Sequence, residues 1–390
     1  MRWNWEKPDW PELRWDAARL HQAEARFMHG AGELLGVVRH VPESDRQSLT
    51  IATMSDEAMT TSEIEGEILE RRSVQSSIRR MLGLEAERVP TRPAEAGIGE
   101  LYVDLYKNWA APLTDDSLHA WHSMVCKGRF DLRDLGRYRT HEEPMQVVSG
   151  AIHAPKVHFV APPSDRVPTE MARFIDWFNG SAPAADSPLA PLARAGAAHL
   201  AFESIHPYED GNGRIGRAIS EKALAQGLGR PSLIALASTI LAHRTAYYRE
   251  LERANTSNQI TDWLAWFAAI AIEAQHRTLA NVEFTIEKAR LFESHRERLN
   301  PRQIAVMLRV LREGPDGFKG GLSASNYMAI AKTSAPTATR DMGDLVDLGI
   351  LSRTGERKST RYHITIPTRR IPRVSIDADG NVIETLPDLI

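Results

Sequence analysis

Twelve consecutive residues, His206-Pro-Tyr-Glu-Asp-Gly-Asn-Gly-Arg-Ile-Gly-Arg217, carry the densest chemistry of the chain: an imidazole, two adjacent carboxylates, loop glycines, an amide and two guanidinium groups. A glycine-rich turn that only caps a helix needs a fraction of that inventory. A phosphate site needs most of it. Glycines let backbone N–H groups approach an oxyanion, and the N-terminus of a following helix adds a favourable dipole. Arg214 and Arg217 can hold further phosphate oxygens with forked hydrogen bonds. Asp210 would repel phosphate unless a divalent cation stood between them, which makes it a candidate Mg²⁺ ligand. His206 is the natural proton acceptor near neutral pH.

The order His-x-aromatic-x-Asp-Gly-Asn-Gly-Arg-x-x-Arg resembles the signature of Fic-domain proteins, which transfer AMP from ATP to protein hydroxyls; Tyr208 stands where the family usually has Phe. The resemblance implies a mainly α fold, a Fic-type helical core with a short β-hairpin flap. It implies that His206 deprotonates a Ser, Thr or Tyr hydroxyl and that Asp210 holds Mg²⁺. Backbone N–H groups around Gly211, Asn212 and Gly213 would bind phosphate oxygens, with Asn212 steadying the α-phosphate and Arg214 and Arg217 neutralising the β and γ groups. Tyr247 and Asn255 fall where the family contacts the base and ribose.

Upstream, Thr61, Glu65 and Gly66 match the family's inhibitory pattern [Ser/Thr]-x-x-x-Glu-[Gly/Asn]. The resemblance implies that Glu65 pairs with Arg217 in the place of the γ-phosphate, so that nucleotide binds in a pose unfit for transfer. Two β-prone runs, Met145–Val148 and Lys156–Val160, read as the hairpin flap, which could pair with an extended segment of a target protein. His153 and His158 lack a third ligand and read as solvent-exposed.

Composition bounds these readings without directing them. The chain has 390 residues, 42% hydrophobic and 25% charged, with a net charge of −3 that singles out no partner class. The lone Cys126 excludes an internal disulfide framework and has no activating residues beside it in sequence. No apolar h-region opens the chain, and the most apolar run, 263–272, is about half a membrane span, so a cytoplasmic protein without membrane contact is expected.

Around the motif, apolar periodicity predicts helices over about 16–38, from 44 to an end at 61–66, over 70–88, 94–109 and 114–124, over 171–179, 192–205, 217–226 and 245–255, and a buried helix over 262–274. Thr114 suits an N-cap. The expected organisation is an N-terminal helical region with a tryptophan-rich lead (1–75), a Fic core (76–282, flap 139–163, motif 206–217), a linker helix (283–296), a further domain (297–368) and a loose or hairpin-like tail (369–390). Three helices followed by a hairpin with a basic turn give 297–368 a resemblance to a winged helix-turn-helix. Ten Lys/Arg against six Asp/Glu between 301 and 365 is a modest surplus, so DNA contact and protein docking stay open for this domain, as does homodimerisation for the chain.

The expected activity is therefore protein adenylylation with ATP as substrate and Mg²⁺ as cofactor, restrained by Glu65 on Arg217 and able to act on the protein itself. Two alternatives are a removal of AMP or bifunctional activity on the same fold, and a nucleotide-sensing transcription regulator.

Overall fold

The computed structural model describes residues 2–39, 41–151, 154–232, 234–312, 314, 318 and 320–386. Its helices, in chain order, begin with α1 (His21–Arg39), α2 (Glu43–Ile64), α3 (Arg71–Met81), α4 (Pro93–Asn108) and α5 (Asp115–Val125). A hairpin follows, β1 (Gln146–Ala151) and β2 (Ala154–Val160), and then α6 (Val167–Gly180), α7 (Pro191–Ile205) and α8 (Asn212–Leu228). The body closes with α9 (Leu236–Ala242), α10 (Arg244–Ala254) and α11 (Thr261–His295). Beyond it lie α12 (Pro301–Leu311), α13 (Ala324–Ala331), α14 (Ala335–Asp347) and two further hairpins, β3 (Leu351–Thr354) with β4 (Arg361–Ile364) and β5 (Arg373–Ile376) with β6 (Val382–Thr385). The fold is mainly helical, with small antiparallel strand pairs.

One hydrophobic core runs from Leu20 to Ala274, so residues on both sides of the expected boundary at 75/76 share it. At its centre stands α7, whose small residues Ala193, Ala195, Ala197 and Ala198 are buried. A Cβ on Gly196 would lie 2.7 Å from Leu264, and the Trp263 indole donates to the Gly196 carbonyl at 2.8 Å, so α11 crosses α7 at backbone contact. That close layer fixes where the C-terminal end of α7 delivers His206.

Several boundaries differ from the periodicity. α3 ends at Met81 rather than near 88, because Gly83 (φ +74°) turns the chain out of the helix. The expected linker helix at 283–296 is the continuation of α11, which runs unbroken for 35 residues. No glycine or proline interrupts 261–299, so nothing in the chain stops it. The tail is an ordered hairpin: Val374, Ile376 and Val382 pack on the first core, and Glu384 pairs with Arg26 at 2.7 Å. Residues 387–390 lie outside the described residues.

A second core, from Phe284 to Ile366, joins the end of α11 to α12, α13, α14 and the β3–β4 hairpin. Asp341 is its polar knot, accepting from Arg302, Tyr327 and Asn300. The side chain of Lys358, one of the basic turn residues, lies outside the described residues. Among the described residues no helix is long and apolar enough to cross a membrane.

Candidate active site

α7 ends at His206, whose backbone sits in the left-handed region (φ 50°, ψ 60°) that residues with a Cβ rarely adopt. Its N–H bonds the Phe202 carbonyl at 2.9 Å, and its carbonyl accepts from Arg139 Nε at 2.8 Å. Arg139 is 1% exposed and also donates to Ser164 Oγ and the Pro162 carbonyl, tying the foot of the β1–β2 hairpin to the motif. This role was not read from the sequence; an arginine in Gly136-Arg-Tyr-Arg139 gave no hint of being buried.

Tyr208 anchors the next turn. It is fully buried, stacks on His122 at 4.1 Å and meets His119 Nδ1 through its hydroxyl at 3.1 Å. The hydroxyl that distinguishes it from phenylalanine is thus satisfied. Gly211 (φ +82°) then reverses the chain into α8, against Val125 and Cys126. Burial pushes the Cys126 thiol up to about 12, so it stays protonated.

At the head of α8 the backbone N–H groups of Asn212, Gly213 and Arg214 have no preceding helical carbonyl and form the anion cradle that the glycines imply. The Asn212 side chain is committed elsewhere. It donates to the Tyr208 carbonyl at 2.8 Å and accepts from the Tyr208 N–H at 3.0 Å, locking the loop.

A carboxylate of the same chain stands beside this helix N-terminus. Glu65, which caps α2, places Oε1 2.7 Å from Arg217, and a Cβ on Gly213 would collide with that carboxylate. Thr61 accepts from Arg217 twice, through Oγ1 at 2.6 Å and its carbonyl at 2.9 Å. The Arg217 side chain is 1% exposed; burial works most strongly against its charge, but Glu65, Tyr247 and Glu203 together outweigh it and hold the guanidinium above its usual value. Gly66 (φ +87°) turns the chain, and Glu67 then pairs with Arg214 at 2.9 Å. Both motif arginines are therefore held by the end of α2. Glu67 was missed in the sequence, although its alternation with Glu63 and Glu65 is visible there.

Glu65 also stands between two cavities. One, about 760 Å³, is lined by His206, Glu203, Gly213, Tyr248, Asn255 and the hairpin. The other, about 520 Å³, is lined by Asp210, Arg214, Arg129 and Glu67. A nucleotide reaching from one to the other must pass the Glu65 carboxylate.

His206 borders the larger cavity with its Nδ1 buried, which leaves Nε2 for a ligand. Burial, reinforced by Arg139, lowers its pKa to about 4, so the imidazole is neutral and free to accept a proton at physiological pH. Asp210 stays ionised: burial raises it, but Arg214, the Gly211 N–H and Arg129 together hold it below the usual carboxylate range. Its Oδ1 accepts from Gly211 at 2.6 Å, and its Oδ2 is ion-paired with Arg129. Arg129 also reaches Asp131 at 2.7 Å and is 43% exposed, so it can yield its place to a cation. One carboxylate next to a phosphate cradle suits Mg²⁺, which binds through few protein ligands and substrate phosphates. No group of three or more His, Cys, Asp or Glu side chains poised to hold a metal occurs among the described residues.

Both expected base-site residues border the larger cavity. The Tyr247 ring is 2% exposed and packs in the cavity wall, with its hydroxyl 2.9 Å from His199 Nε2. Its neighbour Tyr248, 39% exposed, lines the larger cavity and donates to the Ile64 carbonyl. Asn255 lines the same cavity but spends its Oδ1 on Ser204, which Asn4 also contacts. In the hairpin, His158 is held between Ser149 (2.6 Å) and Glu252 (3.0 Å) rather than solvated, and His153 lies outside the described residues.

The tryptophan-rich lead reaches the same region. Trp5 donates to the Val160 carbonyl at 2.6 Å, Trp3 meets Phe159 edge-on, and the Asn4 N–H bonds the Asn255 carbonyl at 2.7 Å.

Two family models match the chain. One, described as a domain of unknown function (DUF4172), covers residues 3–84, and the other, described as Fic/DOC family, covers residues 112–224. The Glu65–Arg217 pair joins the two matched segments. Among solved structures, a Fic domain containing signaling protein from Bacteroides thetaiotaomicron is 16% identical over 67% of this chain and 97% of its own, with a TM-score of 0.51. A Fic family protein from Desulfovibrio desulfuricans is 21% identical over 89% and 97%, at a TM-score of 0.49. Fic-1 from C. elegans is 20% identical over 66% and 72%, at 0.48.

Proposed function

Because residues 112–224 form a Fic/DOC family domain, we propose that this chain transfers AMP from ATP to hydroxyl side chains of proteins, itself included, and that the end of α2 holds it in check. Members of the family typically transfer AMP or another nucleoside monophosphate to proteins. The observation that carries the reading is the Glu65 carboxylate lying on Arg217 beside Gly213 at the head of α8, because a site that seats a carboxylate on a buried guanidinium next to a helix N-terminus is built for an anion.

In this reading His206 Nε2 takes the proton of the target hydroxyl, whose oxygen attacks the α-phosphorus. The new O–P bond forms as the bond to the bridging oxygen breaks and pyrophosphate leaves. The N–H groups of Asn212, Gly213 and Arg214 stabilise charge on the phosphate oxygens, and Arg214 and Arg217 neutralise the leaving pyrophosphate once Glu67 and Glu65 release them. Asp210 would hold Mg²⁺, which neutralises charge on the phosphates. Val148 and Val157, 49% and 38% exposed on the β1–β2 hairpin, offer an apolar surface beside the cavity for an extended target segment. The alternative is that the same cleft removes AMP, and the test below separates the two directions.

The test is mass spectrometry of the Glu65→Gly protein after incubation with Mg-ATP. AMP covalently attached to a hydroxyl supports the reading. No modification of itself or of lysate proteins, together with AMP release from a modified protein, would replace transfer by removal.

A further inference from the structure

Behind His206 lies a buried polar chain that the transfer step does not use. Three side-chain atoms there, His206 Nδ1, Glu203 Oε1 and His199 Nδ1, are buried without a hydrogen-bond partner. They converge on one another. Glu203 Oε2 is 3.8 Å from His206 Nδ1. Glu203 Oε1 and His199 Nδ1 both sit over the bare face of Gly216, at 2.7 and 3.3 Å from where its Cβ would be. His199 Nε2 continues the chain to the Tyr247 hydroxyl at 2.9 Å. A side chain at 216, between the two motif arginines, would displace the carboxyl.

Counting donors shows which protonation states of the carboxyl satisfy its neighbours. For Nε2 of His206 to accept a proton, its Nδ1 must carry one and needs an acceptor. If His199 donates through Nε2 to Tyr247, its Nδ1 accepts and needs a donor; if the Tyr247 hydroxyl donates instead, His199 carries its proton on Nδ1, where the Gly216 backbone bears on the ring. A carboxylate can accept from both imidazoles if Tyr247 donates to His199, but it would then keep its charge in a buried site. A carboxylic acid serves either arrangement without that cost, its carbonyl oxygen accepting from His206 and, where His199 Nδ1 accepts, its O–H donating there.

We propose that Glu203 is the positioning residue of the base, an uncharged acid that fixes His206 in the Nδ1–H tautomer with Nε2 turned to the cavity. The groups facing it are Glu65 from α2, His199 from α7, Arg217 from α8 and Tyr247 from α10. Their balance agrees: burial, reinforced by Glu65 and opposed by Arg217, raises Glu203 to about 8, and burial lowers His199 to about 3. The backbone carbonyl of Glu203 also bears on the His206 ring, and a side-chain variant leaves it in place.

The inference rests on His206 being the base, and its test is arranged so that the two can fail separately. In full-length protein, ¹⁵N NMR of His206 reads the tautomer whether or not AMP is transferred. Glu203→Leu should mix the tautomers, and in the Glu65→Gly background it should slow transfer about tenfold or more with ATP affinity kept. Glu203→Gln, which accepts and donates from the same positions, should restore the tautomer and most of the rate. It should also leave the acid titration of His206 in place. A fall of that titration in the Gln variant would mean Glu203 is ionised and overturn the assignment. An unaltered tautomer and rate in Glu203→Leu would overturn it too, leaving the backbone carbonyl as the sole orienting group. Should Glu203→Leu fail to fold, the isosteric Gln variant still decides by its titration. Loss of transfer in the Glu65→Gly parent itself would count against the proposed function, with the NMR result unaffected.

Discussion

Replacing Glu65 by glycine removes one charge from the most confined spot of the cleft, and its effect can be estimated. The carboxylate touches the α8 cradle at Gly213, so a phosphate seated there would lie within about 4 Å of it; two unit charges at that distance repel by about 4 kcal/mol at an effective dielectric of 20. Glu65 is 32% exposed, so water and ions weaken the repulsion. A remainder of about 2–3 kcal/mol corresponds to roughly 30- to 150-fold. The variant should gain about that factor in productive ATP use, read as the rate of α-phosphate label transfer to protein, with ATP affinity followed by calorimetry. Stability should move the opposite way. Arg217 keeps its two bonds to Thr61 but loses its counter-charge while 1% exposed, and stranding a buried charge costs up to about 3–5 kcal/mol. The ligand-free variant should therefore melt below the parent, and Mg-ATP should raise its melting point more than the parent's. Unchanged transfer together with an unchanged melting response to ATP would refute the assignment of Glu65 as the occupant of an anion site.

In the Glu65→Gly background, His206→Ala should lower transfer by about 10²-fold or more while ATP still binds, measured by label transfer and calorimetry. With His206 intact, the rate should hold from neutral pH downward and fall as the pH drops through about 4, because the folded imidazole is lowered to that value from 6.5 and must be neutral to accept a proton. Glu67→Gln removes the partner of Arg214, and added to Glu65→Gly it should raise transfer further, by about two- to fivefold for a pair that is partly exposed on the Glu67 side. Arg129→Ala frees Asp210, so the Mg²⁺ concentration giving half-maximal transfer should drop by about two- to fivefold; no change in the titration would remove Asp210 as the metal ligand.

The candidate site was legible locally, because a turn leading into a helix N-terminus is a local object. A left-handed turn, two glycines and a helix N-terminus are specified within 206–217, and the backbone there needs little from elsewhere to present its N–H groups. Helix periodicity likewise marked most elements, and the inhibitory pattern at 61–66 pointed to Arg217, to which the structure brings Glu65. What the sequence could not settle were the partners of long side chains. Arginines in the same motif reach residues about 150 positions away, and nothing local distinguishes Glu67 on Arg214 from a solvated charge. Burial is also a property of the packed body. Arg139 as the tie beneath His206, the Tyr247 hydroxyl on His199, and Glu203 behind His206 depend on how closely α7, α8, α10 and α11 pack. Spacing along the chain sets which groups are available. Only the closed core decides which of them lose water, and loss of water determines which imidazole stays neutral, which carboxyl keeps its proton and which arginine must find a partner.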